Sequence, residues 1–74
     1  MNVLELSEKL IAAGADQRCY SLDGSSPVLE GFVLDRSAGA WKISYFERGT
    51  WRTIRLCGTE AEACDFFYSQ VVCY

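Results

Sequence analysis

Ten carboxylates, seven Lys and Arg side chains and four cysteines are the groups in this 74-residue chain best able to do chemistry, and there is no histidine. Without an imidazole, neither a Ser-His-Asp nor a Cys-His nucleophile can be assembled. A glycosidase-like pair of acids is compatible with the composition. The acids, however, fall in turns and at helix starts, where solvation and capping account for them. Cys19, Cys57, Cys64 and Cys73 form no Cys-x-x-Cys pair, so with no His a zinc site is not expected. The glycines suit turns, and none forms a phosphate loop. Arg48, Arg52 and Arg55 lie among aromatics, a combination that can serve RNA. Glu47, Glu60, Glu62 and Asp65 are close to them in sequence, which makes cross-strand ion pairing the expected use. The residues therefore predict no catalytic set, no metal and no cofactor.

Net charge and length narrow the partners. The formal charge is −3, which repels phosphate backbones and favours a basic protein as partner over nucleic acid. No positively charged region followed by an apolar run opens the chain, and no stretch approaches the roughly 18 apolar residues of a membrane span. A cytoplasmic protein with no membrane partner is the expectation. In a reducing cytosol the cysteines read as small buried hydrophobes rather than disulfides, with Cys73 as a candidate exposed thiol. One domain spanning residues 1–74 is expected. A chain of this length buries only about 60% of its surface, so its core is thin. Half the residues are hydrophobic and 14% are aromatic, which argues against disorder.

The elements that must position these groups follow from periodicity. Residues 3–13 read as a helix, with Val3, Leu6, Leu10 and Ala13 on one stripe and Leu4 and Ile11 widening it. Asn2 suits the N-cap and Gly14 the C′ position. Cys19–Leu22 is a short strand, and Asp23-Gly24-Ser25-Ser26-Pro27 is a strong turn signal. Val28–Asp35 reads as a strand, with Gly31 as a bulge or a point of close backbone approach. Arg36–Gly39 is a turn. Ala40–Phe46 and Thr50–Leu56 form a hairpin closed by Glu47-Arg48-Gly49. Strict alternation puts Trp41, Ile43 and Tyr45 on one face, and Lys42, Ser44 and Phe46 on the other. It likewise separates Trp51, Thr53 and Arg55 from Arg52, Ile54 and Leu56. A second helix opens at Thr59, where Thr59 and Glu62 spell a capping box. Its inward stripe would be Ala61, Cys64, Phe67 or Tyr68, and Val71. The fold class is α+β: an N-terminal helix, a three- to four-stranded antiparallel meander and a C-terminal helix. Both helices would cover one sheet face and leave the other for solvent or binding.

Four aromatics, Trp41, Tyr45, Phe46 and Trp51, crowd the hairpin. Trp41 and Tyr45 fit a core role. Phe46 and Trp51 are the candidates to point outward, and an exposed aromatic beside carboxylates is typical of a protein-binding hot spot.

Three segments carry a resemblance: Tyr20-Ser21-Leu22-Asp23-Gly24, Trp41-Lys42-Ile43-Ser44-Tyr45-Phe46-Glu47-Arg48-Gly49 and Thr59-Glu60-Ala61-Glu62-Ala63-Cys64. In this order they resemble a group of small bacterial immunity-type proteins of polymorphic and contact-dependent toxin systems. That group has an N-terminal amphipathic helix, a Tyr-Ser-Leu/Ile-Asp-Gly-Gly segment, a Trp-x-Val-x-Tyr-x-Glu-Arg-Gly hairpin and a Thr/Ser-Glu-x-Glu-Ala-Cys helix. Ser25 stands where the group has its second Gly, and the stretch from Gly49 to Leu56 is shorter. The resemblance implies a non-enzymatic immunity protein that binds and neutralises a cognate toxin domain in the cytoplasm. The alternative is a small interaction or regulatory module, as a homodimer or other homo-oligomer. Candidate partner-binding residues are Asp23, Glu30, Glu47, Arg48 and Trp51; turn stabilisation is the competing role for Glu47 and Arg48.

Overall fold

A computed structural model describes residues 1–27, 30–37 and 39–72. The first helix, α1 (Val3–Ala12), starts where Asn2 accepts the Glu5 amide at 2.8 Å and the Glu5 carboxylate accepts the Asn2 amide at 3.3 Å. This reciprocal capping box satisfies two amides left without helical partners. The helix ends in a Schellman motif. Gly14, at φ 78°, donates to the Ile11 carbonyl at 3.0 Å, and Ala15 donates to that of Leu10 at 3.0 Å. Glycine suits the left-handed residue because it has no Cβ to clash. Leu6 and Leu10 are fully buried, with Val3 packed beside them. Leu4, Ile11 and Ala13, expected on the same stripe, are exposed. A helix lying on a sheet buries a narrower arc than the sequence stripe covers.

A short 3₁₀ turn (Gln17–Cys19) leads into β1 (Tyr20–Ser21), followed by β2 (Gly31–Ser37), β3 (Ala40–Glu47) and β4 (Thr50–Cys57). The strands lie side by side in chain order, with β1 and β4 at the edges. The α+β class and the flanking helices are as the sequence predicts, but the sheet is mixed. β2, β3 and β4 pair antiparallel, whereas β1 runs parallel to β2, with Tyr20 opposite Phe32 and Ser21 opposite Val33. The cause is visible in the Asp23-Gly24 bend. It closes a local Asx turn, Asp23 Oδ1 accepting the Ser25 amide at 3.1 Å, and does not join two antiparallel strands. Gly24 then lies against the Asp35 side chain of β2. Of the strand expected at residues 28–35, Val28 and Leu29 lie outside the described residues; β2 runs from Gly31 to Ser37. Gly31 is the predicted close-approach point. A Cβ there would collide with the Cys19 carbonyl oxygen.

A β-bulge between Ile43 and Ser44 on the β3–β4 ladder changes the faces of β4. Ser44 pairs with Thr53 and Ile43 with Arg55, so Ile54 is the extra residue. A bulge breaks alternation. Trp51, Thr53 and Leu56 therefore share the face away from the helices, while Arg52, Arg55 and Cys57 share the helix face. The predicted grouping holds up to Thr53 and reverses beyond it.

The second helix, α2 (Glu60–Val72), begins after Thr59, whose hydroxyl accepts the Glu62 amide at 3.2 Å. Half of the predicted capping box is thus formed. The Glu62 carboxylate turns instead to Arg55 Nη2 at 3.3 Å. Its buried stripe is Ala63, Cys64 and Phe67, with Tyr68 and Val71 half-buried and Ala61 exposed. Together with Tyr20, Phe32, Leu34, Ile43 and Cys57 these residues complete the core. Cys57 and Cys64 fill the role of small hydrophobes, and burial pushes the Cys64 thiol pKa up. Cys19 is half-buried. Cys73 lies outside the described residues.

A native stability of roughly 4–11 kcal/mol is expected for 74 residues. Gly31→Ala should remove about 3 kcal/mol or more, because two backbones must separate to admit a methyl group. Thr59→Ala should cost about 1 kcal/mol, the usual loss of an N-cap. Urea denaturation of both variants checks the ranking. Equal losses would mean that the Gly31–Cys19 approach relaxes freely.

Candidate functional site

The β3–β4 hairpin and the strand start beside it carry four of the five sequence-predicted contact residues. Arg48 and Gly49 form its two-residue turn, with φ of 51° and 78°. Positive φ at both central positions matches the right-handed twist of the strands. Arg48 adopts this conformation although its Cβ makes it costly. Arg48 Nε lies 3.9 Å from Glu30 Oε1 across the end of the sheet. Both groups are well exposed, so the pair contributes little to stability.

Pairing of Gly31 with Phe46, and of Glu47 with Thr50, brings Glu30 and Glu47 to the same end of the sheet. Both border an open groove of about 610 Å³ on the helix side, together with Tyr45, Arg52, Ile54 and Gln70. Trp51 is on the opposite face. It is 49% exposed and rests on Phe46, ring centroids 4.9 Å apart and planes tilted by 56°. Trp51 also borders a smaller groove of about 200 Å³ with Gly24, Val33, Asp35, Lys42 and Ser44. The hairpin thus shows carboxylates and Arg52 on one side and a half-exposed aromatic pair on the other. Trp41 and Tyr45 pack against the core, as expected.

Asp23 belongs to a separate cluster. Its Oδ1 accepts the Ser25 hydroxyl at 2.6 Å, the Ser21 hydroxyl at 2.8 Å and the Ser25 amide at 3.1 Å. These bonds, the Ser25 hydroxyl foremost, hold the carboxyl down at about 2, against an ordinary value of 3.8. The loop borders a cavity of about 480 Å³ with Ser7 and Ile11 of α1, Gln17 and Tyr20. Asp23 is exposed, but its hydrogen bonds organise the loop it sits in. Ser21 and Ser25 were not singled out by the sequence reading. The Asp-x-Ser spacing of an Asx turn is the signal that would have found Ser25.

Arg55, the third arginine of the hairpin, is bound to α2. Its guanidinium lies over the Phe66 ring at 4.9 Å and pairs with Glu62 at 3.3 Å. The expectation was a cross-strand ion pair; the pair formed instead ties the strand to the helix. Among the described residues no group of three His, Cys, Asp or Glu side chains is placed to hold a metal ion. No helix among them is long and apolar enough to cross a membrane. The chain matches no protein-family model, no curated protein and no solved structure.

The Asp23 cluster generates a titration prediction. Its folded pKa lies below the unfolded value, so its stabilising contribution is present above about pH 3.8 and is lost as pH falls through about 2. Carbon-detected NMR of the side-chain carboxyl should give a midpoint near 2 in the wild type. Ser25→Ala should move that midpoint upward. A wild-type midpoint at the ordinary value would dissolve the cluster.

Proposed function

We propose that this chain is a cytoplasmic immunity-type protein that neutralises a cognate toxin domain by binding it, with no chemistry of its own. The observation that carries the proposal is the hairpin end. A half-exposed Trp51, seated on Phe46, stands on one face of the hairpin, and the carboxylates of Glu30 and Glu47 border an open groove on the other. An exposed aromatic is a usual hot-spot anchor, and the acidic groove at the same end of the sheet complements a basic partner. The net charge of −3 favours rapid encounter with a basic partner. The residue pattern shared with immunity-type proteins supplies the toxin as the class of partner.

The remaining chemistry-bearing cluster supports a binding role over a catalytic one. In Ser21-Asp23-Ser25 the carboxyl is held near 2. A base of that strength cannot usefully take a proton from a serine hydroxyl at neutral pH. Cys57 and Cys64 are buried, out of reach of a substrate. A second reading, a regulatory module that self-associates without a toxin, is favoured by the run of exposed residues along β4. The neighbouring gene separates the two. A large secreted protein with a variable C-terminal domain supports the first reading, and a housekeeping operon supports the second.

Co-expression with the adjacent toxin gene should restore growth; equal arrest with and without this chain refutes the proposal. Glu30→Lys combined with Trp51→Ala should leave the circular dichroism spectrum unchanged. It should weaken toxin binding by about 2 kcal/mol or more in calorimetry, as hot-spot losses do. Unchanged affinity would move the contact onto another surface.

A further inference from the structure

β4 is an edge strand of eight residues, and every residue from Thr50 to Leu56 is exposed. An edge of this length leaves backbone donors and acceptors free to pair with another strand. Natural edges are commonly spoiled by proline, inward charges or bulges. β4 contains no proline and displays Trp51 and Leu56, 49% and 63% exposed, on one face. It does contain the bulge, and the bulge decides which strand fits.

We propose that β4 pairs antiparallel with β4 of a second copy, about a two-fold axis through the bulge, joining the two sheets into one. The argument is one of parity. In antiparallel pairing, opposed residues must lie on the same face of the sheet. In a regular strand this demands partners an even number of residues apart, because faces alternate. The bulge at Ile54 shifts the alternation by one residue. Trp51 and Leu56, an odd number apart, therefore share the face away from the helices, and Arg52 and Arg55 share the helix face. A symmetric register that sets Trp51 opposite Leu56 of the second copy also sets Arg52 opposite its Arg55. Both pairs then match in face, and the mismatch is confined to Thr53 and Ile54 at the axis.

Side-chain chemistry fits the same register. The symmetric arrangement makes two Trp–Leu contacts from the two most exposed large apolar side chains of the strand, and such cross-strand pairs stabilise a ladder. The juxtaposed arginines are not a bare like-charge pair, because each Arg55 already holds Glu62 at 3.3 Å. An unrelated strand could use the same backbone groups, but the odd spacing of Trp51 and Leu56 suits a partner that carries the same bulge. The contact is small by the standard of permanent interfaces, so a reversible dimer is expected.

Sedimentation equilibrium from micromolar to millimolar protein tests the proposal, with amide chemical shifts followed on dilution. The average mass of the full chain should rise from one copy toward two as concentration increases. The amides that shift should be those of residues 50–56. Leu56→Lys, a change at an exposed position, should leave circular dichroism unchanged and hold the chain monomeric. Ile11→Lys, on the exposed face of α1, should associate as the wild type does. A chain monomeric throughout overturns the proposal. So does a dimer indifferent to Leu56→Lys, one dissolved equally by Ile11→Lys, or one whose shifting amides map to the helices. If the chain stays monomeric while an added extended peptide shifts the β4 amides, the edge belongs to another protein and self-pairing is again refuted.

Discussion

The ring of Phe67 holds the two layers together. It is fully buried on α2 and meets Tyr20 of β1 and Phe32 of β2 edge-on, each at a centroid distance of 6.4 Å. Phe32 in turn meets Tyr45 of β3 at 5.1 Å. These four rings tie one helix to three strands in a core too small to have many alternatives. Edge-to-face geometry adds to burial alone. The short parallel strand β1 depends on this arrangement in particular, because two ladder residues would not hold it. Tyr20 anchors it through Phe67, and the absence of a side chain at Gly31 lets Cys19 come close.

The helices are locked to each other at their starts as well as through the core. Glu60, in the first turn of α2, accepts the Val3 amide of α1 at 2.9 Å. One carboxylate thus sits near the positive ends of two helix dipoles, where negative charge is favoured. The charged N-terminus lies 3.9 Å from Asp65 on the same helix. These contacts join the start of the chain to α2, and they fix how the two helices lie on the sheet. With much of the helix-side face occupied in this way, recognition can use the hairpin with its helix-side groove, the edge of β4 and the opposite sheet face.

Local signals made most of the fold legible. Asn2 and Gly14 bracketed α1 because caps are encoded within a few residues. The β3–β4 hairpin was readable because Glu47-Arg48-Gly49 separates two β-rich runs, although Glu47 proves to be the last residue of β3. What escaped was set by distant contacts. Nothing near Tyr20 says that its strand runs parallel to β2; that outcome needs the Asx turn at Asp23 and the glycine at Gly31 together. The bulge at Ile54 has no local signature, so the faces of Arg55 and Leu56 were assigned by an alternation the strand does not keep. For the candidate site, Trp51 and its neighbouring acids could be named because residue types carry that information. Their division between two faces, and the capture of Asp23 by Ser21 and Ser25, required the three-dimensional arrangement.

The two edges of the sheet are unequal, and this asymmetry sets how far an assembly could grow. β1 has two residues, and β4 has eight. A sheet with two long edges can add copies at both sides and extend into a filament. On the β1 side no strand of comparable length is presented, so a face-matched two-fold contact along β4 would use the longest edge of each copy. Such a contact would end in a closed pair with point symmetry. Beyond the two residues that β1 covers, Gly24 lies against the Asp35 side chain of β2. The second edge would then be poorly suited to carry growth onward into a fibre.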